Sequence, residues 1–297
     1  MIYTLTLNPA LDLVMETDNI SVGETHRSGS EKIFFGGKGV NVSRVLNALG
    51  KQSVALGFIG GFTGAALEDF LKKQGIKTDF TVIGGDTRIN IKLKGDSLTE
   101  INAAGPTVTD EDIGNVLIKL EQITDGDILV LSGSIPRGAP DNIYEIILSK
   151  LTHKAIRVVL DTTGDALLAA LHYKPFLIKP NLPELEELVG KPLKKEEDII
   201  SAAKQLTSKG ACNVLVSLGD RGALLLHENG TLHRKEAFKI RAVNPVGAGD
   251  SMVAGFIAGM EKDFGYALTL GTAAGAATAA GEDLATHEDI QGILVTH

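Results

Sequence analysis

The segment Asn244-Pro-Val-Gly-Ala-Gly-Asp250 places two glycines and a carboxylate where an extended stretch meets the apolar run Ser251 to Met260. Pro245 ends the extended part, Gly247 and Gly249 permit tight backbone geometry, and helical periodicity begins at about Asp250. Backbone N–H groups at a helix N-terminus converge on one point and carry the positive end of the helix dipole, which makes an anion site. A carboxylate there suits a general base acting beside a phosphoryl group held by those amides. An ordinary N-cap is the alternative for Asp250.

A second glycine cluster, Gly36-Gly-Lys-Gly-Val-Asn41, also opens a helix. It matches neither the GxxxxGK[ST] phosphate loop nor the GxGxxG dinucleotide fingerprint. Its glycines let a ligand approach the main chain, Lys38 is a candidate phosphate or sugar contact, and Asn41 follows about one turn later. A helix entry with a solvated lysine is the alternative. Between Thr87 and Lys92, side-chain alternation sends Arg88, Asn90 and Lys92 to one face and Ile89 and Ile91 to the other. A strand with a cationic polar face is half solvated or faces a ligand.

The elements that must carry these groups can be read from the spacing of apolar residues. Asp127 to Ser132, Arg157 to Asp161, Phe176 to Lys179 and Asn213 to Leu218 are short apolar runs of the kind buried on both faces. Asp141 to Leu151, Asp165 to Leu171 and Glu196 to Lys209 have helical spacing between and after them, so the pattern is a parallel sheet covered by helices. In the first half, Gly39 to Leu49 is an amphipathic helix. Leu98 to Ile101, after a Gly95-Asp96 turn, forms a hairpin with the Arg88 strand, and Leu11 to Glu16 and Ser30 to Phe35 extend the same small sheet. No repeat or linker separates it, so the expectation is one domain over 1–297 with lid strands inserted at about 11–35 and 87–102.

Composition limits the partners. The 297 residues are 43% hydrophobic, and 29 basic against 37 acidic residues leave a net charge of −8, so no global positive field favours nucleic acid or anionic membrane. Anionic ligands must be met by a local patch. One cysteine excludes a disulfide framework and suits a reducing cytoplasmic setting. The longest uncharged stretch, Phe264 to Gly281, is mostly Ala, Gly and Thr, which fits a tightly packed buried helix better than a membrane span.

The two glycine loops together resemble the ribokinase-like sugar kinases of the phosphofructokinase B family. LNPALD (Leu7 to Asp12), GFIGG (Gly57 to Gly61), TRINIK (Thr87 to Lys92), LSGSIPRG (Leu131 to Gly138), KPNLPE (Lys179 to Glu184) and VSLGDRG (Val216 to Gly222) fall in the family's order. The resemblance implies a ribokinase-like α/β fold, a mostly parallel central sheet flanked by helices with a small β-sheet lid. It implies Asp250 as the base, with Gly247, Ala248 and Gly249 as the anion hole. Asn181 and Glu184 resemble the pair that orders Mg²⁺ through water, with a first-turn carboxylate as the alternative for Glu184. Ser217, Gly219 and Gly222 would line the ATP site together with Gly249, and a plain turn is the alternative.

For the acceptor, the resemblance implies Asp12 as a sugar-hydroxyl ligand. Gly37, Lys38 and Asn41 would complete the sugar cradle, Arg88 would meet the sugar's phosphate beside Asn90, and Ser134 would face the same cleft. Lys92 is open between a ligand contact and a solvated lysine. Within the family, TRINIK and Thr99 to Asn102 look most like 1-phosphofructokinases, with tagatose-6-phosphate kinases next. The expectation is therefore ATP-dependent phosphorylation of the 6-hydroxyl of D-fructose 1-phosphate, with tagatose 6-phosphate as the alternative acceptor and a homodimer through the lid. A catalytically silent sugar-phosphate or nucleotide sensor is the rival from another class.

Overall fold

The computed structural model describes every residue except Asn19, Val22, Asp96 and His297. The chain starts in β1 (Ile2–Thr6), leaves the main sheet as β2 (Ala10–Glu16) and β3 (Ser30–Gly36), and returns through α1 (Lys38–Ala48) to β4 (Ser53–Ile59). Next come α2 (Gly61–Lys73), the two-residue strands β5 (Lys77–Thr78) and β6 (Thr81–Val82), and the hairpin β7 (Arg88–Lys94) and β8 (Leu98–Ile101). Asp96, in the expected hairpin turn, lies outside the described residues.

The second half runs α3 (Asp110–Leu120), β9 (Ile128–Ser132), α4 (Ile143–Leu151), β10 (Arg157–Asp161), α5 (Gly164–Ala170), β11 (Leu177–Ile178), α6 (Leu182–Val189) and α7 (Glu196–Ser208). It continues through β12 (Asn213–Ser217), β13 (Ala223–Leu226), β14 (Leu232–Lys235), α8 (Ala248–Gly259), α9 (Phe264–Ala280) and α10 (His287–Thr296). The expected run Phe176 to Lys179 is cut to two residues because Pro175 and Pro180 flank it and a proline has no N–H to give a ladder.

The large sheet has the order β14-β13-β12-β11-β10-β9-β1-β4-β5, with β6 also on β4, and only β13 runs against the other strands, antiparallel to both β12 and β14. Alternation along its strands divides the core. Leu129, Leu131 and Leu160 pack with Ile113, Ile147, Leu185 and Ile199 of the helices on one face. Val130, Val159 and Leu215 pack with Val42, Val45, Val253 and Ala273 on the other. A separate sheet of order β3-β2-β7-β8 is the lid. It comes from the two expected excursions, with strands at Ala10–Glu16, Ser30–Gly36, Arg88–Lys94 and Leu98–Ile101.

The small residues of α9 have a packing cause. A Cβ on Gly255 of α8 would lie 2.7 Å from Leu270 O and 2.8 Å from Gly271 Cα, so the two helices touch through their backbones. Among the described residues, no helix is long and apolar enough to cross a membrane. Because α8 also carries the anion loop, Gly255→Val is expected to destabilise the fold by about 1–3 kcal/mol through overpacking. Chemical denaturation checks this, and an unchanged midpoint contradicts the close approach.

Candidate active site

Parallel strands bring their C-terminal ends to one edge of the sheet, and open α/β sheets bind ligands there, where the connections diverge. In this chain β1 sits between β4 and β9, and the loops leaving β1, β9, β10 and β11 meet on that edge. With α1, α8 and the inner face of the lid they enclose a cleft of about 530 Å³. Asp12, Gly37, Lys38, Asn41, Arg88, Asn90, Ser134, Asn181, Glu184, Gly247, Gly249 and Asp250 all line it. The expected acceptor, metal and base residues are thus brought together from positions 12 to 250 of the chain.

The helix after the second glycine loop starts at Ala248, two residues earlier than its periodicity implied. Gly247 is the N-cap, with φ 80°, and a Cβ there would lie 2.5 Å from Leu284 Cδ2, so a side chain is both strained and blocked. Asp250 therefore occupies the third helical position and the N-cap alternative falls. Its carboxylate is 6% exposed, and Asn41 Nδ2 donates to Oδ2 at 2.8 Å. Burial pushes its pKa up to about 7, reinforced by the charge of Asp161, against the Asn41 hydrogen bond and the ammonium groups of Lys38 and Lys179. Asn41, expected in the sugar cradle, orients the carboxylate and leaves Oδ1 as its second oxygen.

Lys38, the first residue of α1, lies 3.3 Å from Asp161 Oδ1. Burial disfavours its charge, but the carboxylates of Asp161, Asp250 and Glu184 outweigh that cost and raise its pKa. Its side chain stays 37% exposed yet is held in that ion pair, unlike a lone solvated lysine. Lys179 extends from the end of β11 to 3.6 Å from the same Asp161 oxygen, and a Cβ built on Gly249 would meet its ammonium at 3.2 Å. Neither Asp161 nor Lys179 was singled out as a site residue in the sequence. The available signal was a charged residue at the C-terminal tip of an apolar parallel strand, 2% exposed for Asp161 and 6% for Lys179.

On the lid, Asp12, Asn90 and Lys92 share the inward face through the β2–β7 register. Asn90 Nδ2 donates to Asp12 Oδ1 at 2.8 Å, its Oδ1 accepts from Ala103 N at 3.1 Å, and Lys92 Nζ lies 3.3 Å from Asp12 Oδ2. Lys92 is a half-buried ion-pair partner, not a free solvated lysine. Arg88 donates from Nε and Nη2 to Asn8 O at 3.2 and 3.0 Å, and from Nη1 to Ala103 O at 3.1 Å. Burial lowers its pKa, with Asp12 opposing. The guanidinium thus ties two loops together before any ligand arrives.

Asn181 caps α6: its Oδ1 accepts from Glu184 N at 2.8 Å, and Glu184 Oε2 accepts from Asn181 N at 2.8 Å. This reciprocal box satisfies two helix-end donors and leaves Glu184 Oε1 outside it. Ser217 ends β12, Gly219 and Gly222 follow it, and none of the three is among the residues lining the cleft. At Gly222 the space for a Cβ is filled by Lys235 O at 2.1 Å and Ala237 N at 2.6 Å. The lack of a side chain at Gly222 thus serves the chain's own backbone, as in a plain turn.

The comparisons agree with this geometry. Residues 5–289 match the model of the pfkB family carbohydrate kinases. The 1-phosphofructokinase of Bacillus subtilis is 45% identical over 296 residues, 99% of this chain and 97% of that protein. The D-tagatose-1-phosphate kinase of Bacillus licheniformis is 39% identical over 282 residues, 94% of this chain and 92% of that protein. The structure of phosphofructokinase-2 from Escherichia coli in complex with substrates and products superposes with a TM-score of 0.93 at 30% identity, covering 99% of this chain and 98% of that one. A sheet with its lid, a buried carboxylate behind a glycine loop and likeness along nearly the whole length lead to one assignment: the chain belongs to the pfkB family of carbohydrate kinases.

Proposed function

We propose that this enzyme transfers the γ-phosphoryl group of ATP to the 6-hydroxyl of D-fructose 1-phosphate, giving fructose 1,6-bisphosphate and ADP. The observation that carries the proposal is Asp250, buried beside an N-terminal anion loop, with one oxygen held by Asn41 and the cleft open toward the hydroxyl-binding pair Asp12 and Asn90. Asp250 takes the proton from the 6-hydroxyl as the O6–P bond forms and the bond from Pγ to the ADP oxygen breaks. The amides of Gly247 and Gly249 face the phosphoryl charge, whereas Ala248, expected with them, donates its N–H to Pro245 O at 3.2 Å and is not among the residues lining the cleft. Arg88 receives the phosphate already on the sugar, since a guanidinium binds phosphate bidentately. Ser134 and Gly37 complete the acceptor wall, and Ser217, Gly219 and Gly222 form the turn above which the nucleotide lies. Residues 1–297 act as one catalytic domain.

Glu184 fits a hard cation through Oε1, the oxygen its capping box leaves outside, and Asn181, whose Oδ1 serves that box, lines the same cleft beside it. Mg²⁺ would be carried in by the nucleotide and contacted through water. That ion would neutralise phosphate charge. The lid is read as the dimer surface, supported by the outward apolar side chains of Ile33 (57% exposed), Ile89 (39%) and Ile101 (54%).

An ADP-release assay over fructose 1-phosphate, tagatose 1-phosphate, tagatose 6-phosphate, fructose 6-phosphate and ribose tests the proposal. Fructose 1-phosphate is expected to give the highest kcat/KM; no ADP release with any of them favours the silent sensor. Likeness to the D-tagatose-1-phosphate kinase supports tagatose 1-phosphate as the second acceptor to test, since a phosphate on carbon 1 would meet the same arginine. The base must be ionised to accept a proton, so kcat/KM is expected to fall as pH drops through about 7, where Asp250 titrates. Asn41→Ala removes a hydrogen bond that favours the carboxylate and moves that limb to higher pH. A limb that stays in place contradicts the role of Asn41.

A further inference from the structure

We propose that Asp161 is a positioning residue that holds Lys38 and Lys179 as a pair of ammonium groups at the phosphoryl end of the cleft. Three observations meet there. Asp161 closes β10 in register with Ser132 of β9, and Gly133 N donates to its main-chain oxygen at 3.3 Å, so its backbone is tied at two points. Tyr144, fully buried, donates from its hydroxyl to Gly133 O at 2.8 Å and braces the same turn. One carboxylate oxygen, Oδ1, then faces two lysines from different elements, at 3.3 Å and 3.6 Å.

Those separations exceed the roughly 2.7–2.9 Å of a close N⁺–H···O⁻ contact. Each ammonium has three protons, so both keep donors for an arriving anion. Lys179 lies against Gly249 in the anion loop, Lys38 opens the helix that carries Asn41, and both line the cleft. Without a carboxylate between them, the buried ammonium of Lys179 and the half-buried one of Lys38 would repel and lose this spacing. Asp161 thus acts through the lysines, and its charge also reaches Asp250.

The groups facing Asp250 are Asp161 from β10, Lys38 and Asn41 from α1 and Lys179 beyond β11, while Glu184 of α6 faces Lys38. Asp161→Asn removes a negative charge and frees two positive ones, and each change favours ionised Asp250. The inference rests on Asp250 being the base.

The test is the pH dependence of kcat/KM for wild type and Asp161→Asn, with thermal denaturation of both. The expected result is a plateau lowered about 10- to 100-fold by misplaced lysines and an acid limb moved about one unit to lower pH. A lowered plateau with the limb unmoved would mean a structural role only and would overturn the inference, as would wild-type kinetics. If Asp161→Asn does not fold, Asp161→Glu keeps the charge but shifts it by one methylene. It is expected to leave the limb near its wild-type position while lowering kcat, and wild-type kcat overturns the inference. A wild-type profile with no acid limb would instead remove Asp250 as base, so the two failures are told apart.

Discussion

Asp250→Asn is expected to lower kcat by about 10³-fold, within the range general-base catalysis contributes, while leaving nucleotide affinity and the folding midpoint unchanged. The amide has the shape of the carboxylate, so its oxygen still accepts from Asn41 Nδ2, which in the native site donates to Oδ2 at 2.8 Å. What disappears is the group that takes the hydroxyl proton. Burial and the charge of Asp161 already disfavour the ionised form, so a neutral side chain relieves a desolvation cost and no loss of stability follows. Steady-state kinetics, calorimetric titration with ATP and a thermal melt make the three measurements. A kcat within tenfold of wild type removes Asp250 as the base; a collapse of ATP affinity would place it among the binding groups instead.

Arg88→Ala is expected to raise KM for fructose 1-phosphate by about 10- to 100-fold, the equivalent of a lost charge-assisted hydrogen bond. The KM for ATP moves little, because Arg88 stands on the lid strand beside Asn8 and Ala103, away from the anion loop. A second effect accompanies it. Asn8 O and Ala103 O lose their guanidinium donors, so stability falls by about 1–3 kcal/mol. Arg88→Lys keeps a charge but not the planar fork, and recovers part of the affinity. Equal rises in both KM values would mean that Arg88 serves only as a tie between loops.

Much of this was written in local patterns. The buried strands ending at Ser132 and Asp161, the helix that Lys38 opens and the lid strand of Arg88 all follow from side-chain period and breaker residues, because those depend on near neighbours in the chain. The glycine loops marked the ends of α1 and α8, and likeness to a family supplied roles for Asp250, Asp12 and Arg88. Which atoms a glycine makes room for was not legible: at Gly222 it is Lys235 O, and at Gly255 the backbone of a neighbouring helix.

The amino-acid sequence by itself determined the α/β architecture, the lid, the loops that surround the cleft and the kind of chemistry they could perform. Tertiary structure alone decided who partners whom. Asn41 proved to hold Asp250 across 209 positions of chain, Lys92 to pair with Asp12, and Asp161 to sit between two lysines 123 and 18 positions away. A hydrogen bond or a buried charge depends on distances of a few ångströms between strand ends that are remote in sequence, and periodicity carries no information about them. The raised pKa of Asp250 has the same origin, since burial and the field of Asp161 exist only once the sheet has brought β10 beside the helix that follows the last glycine loop.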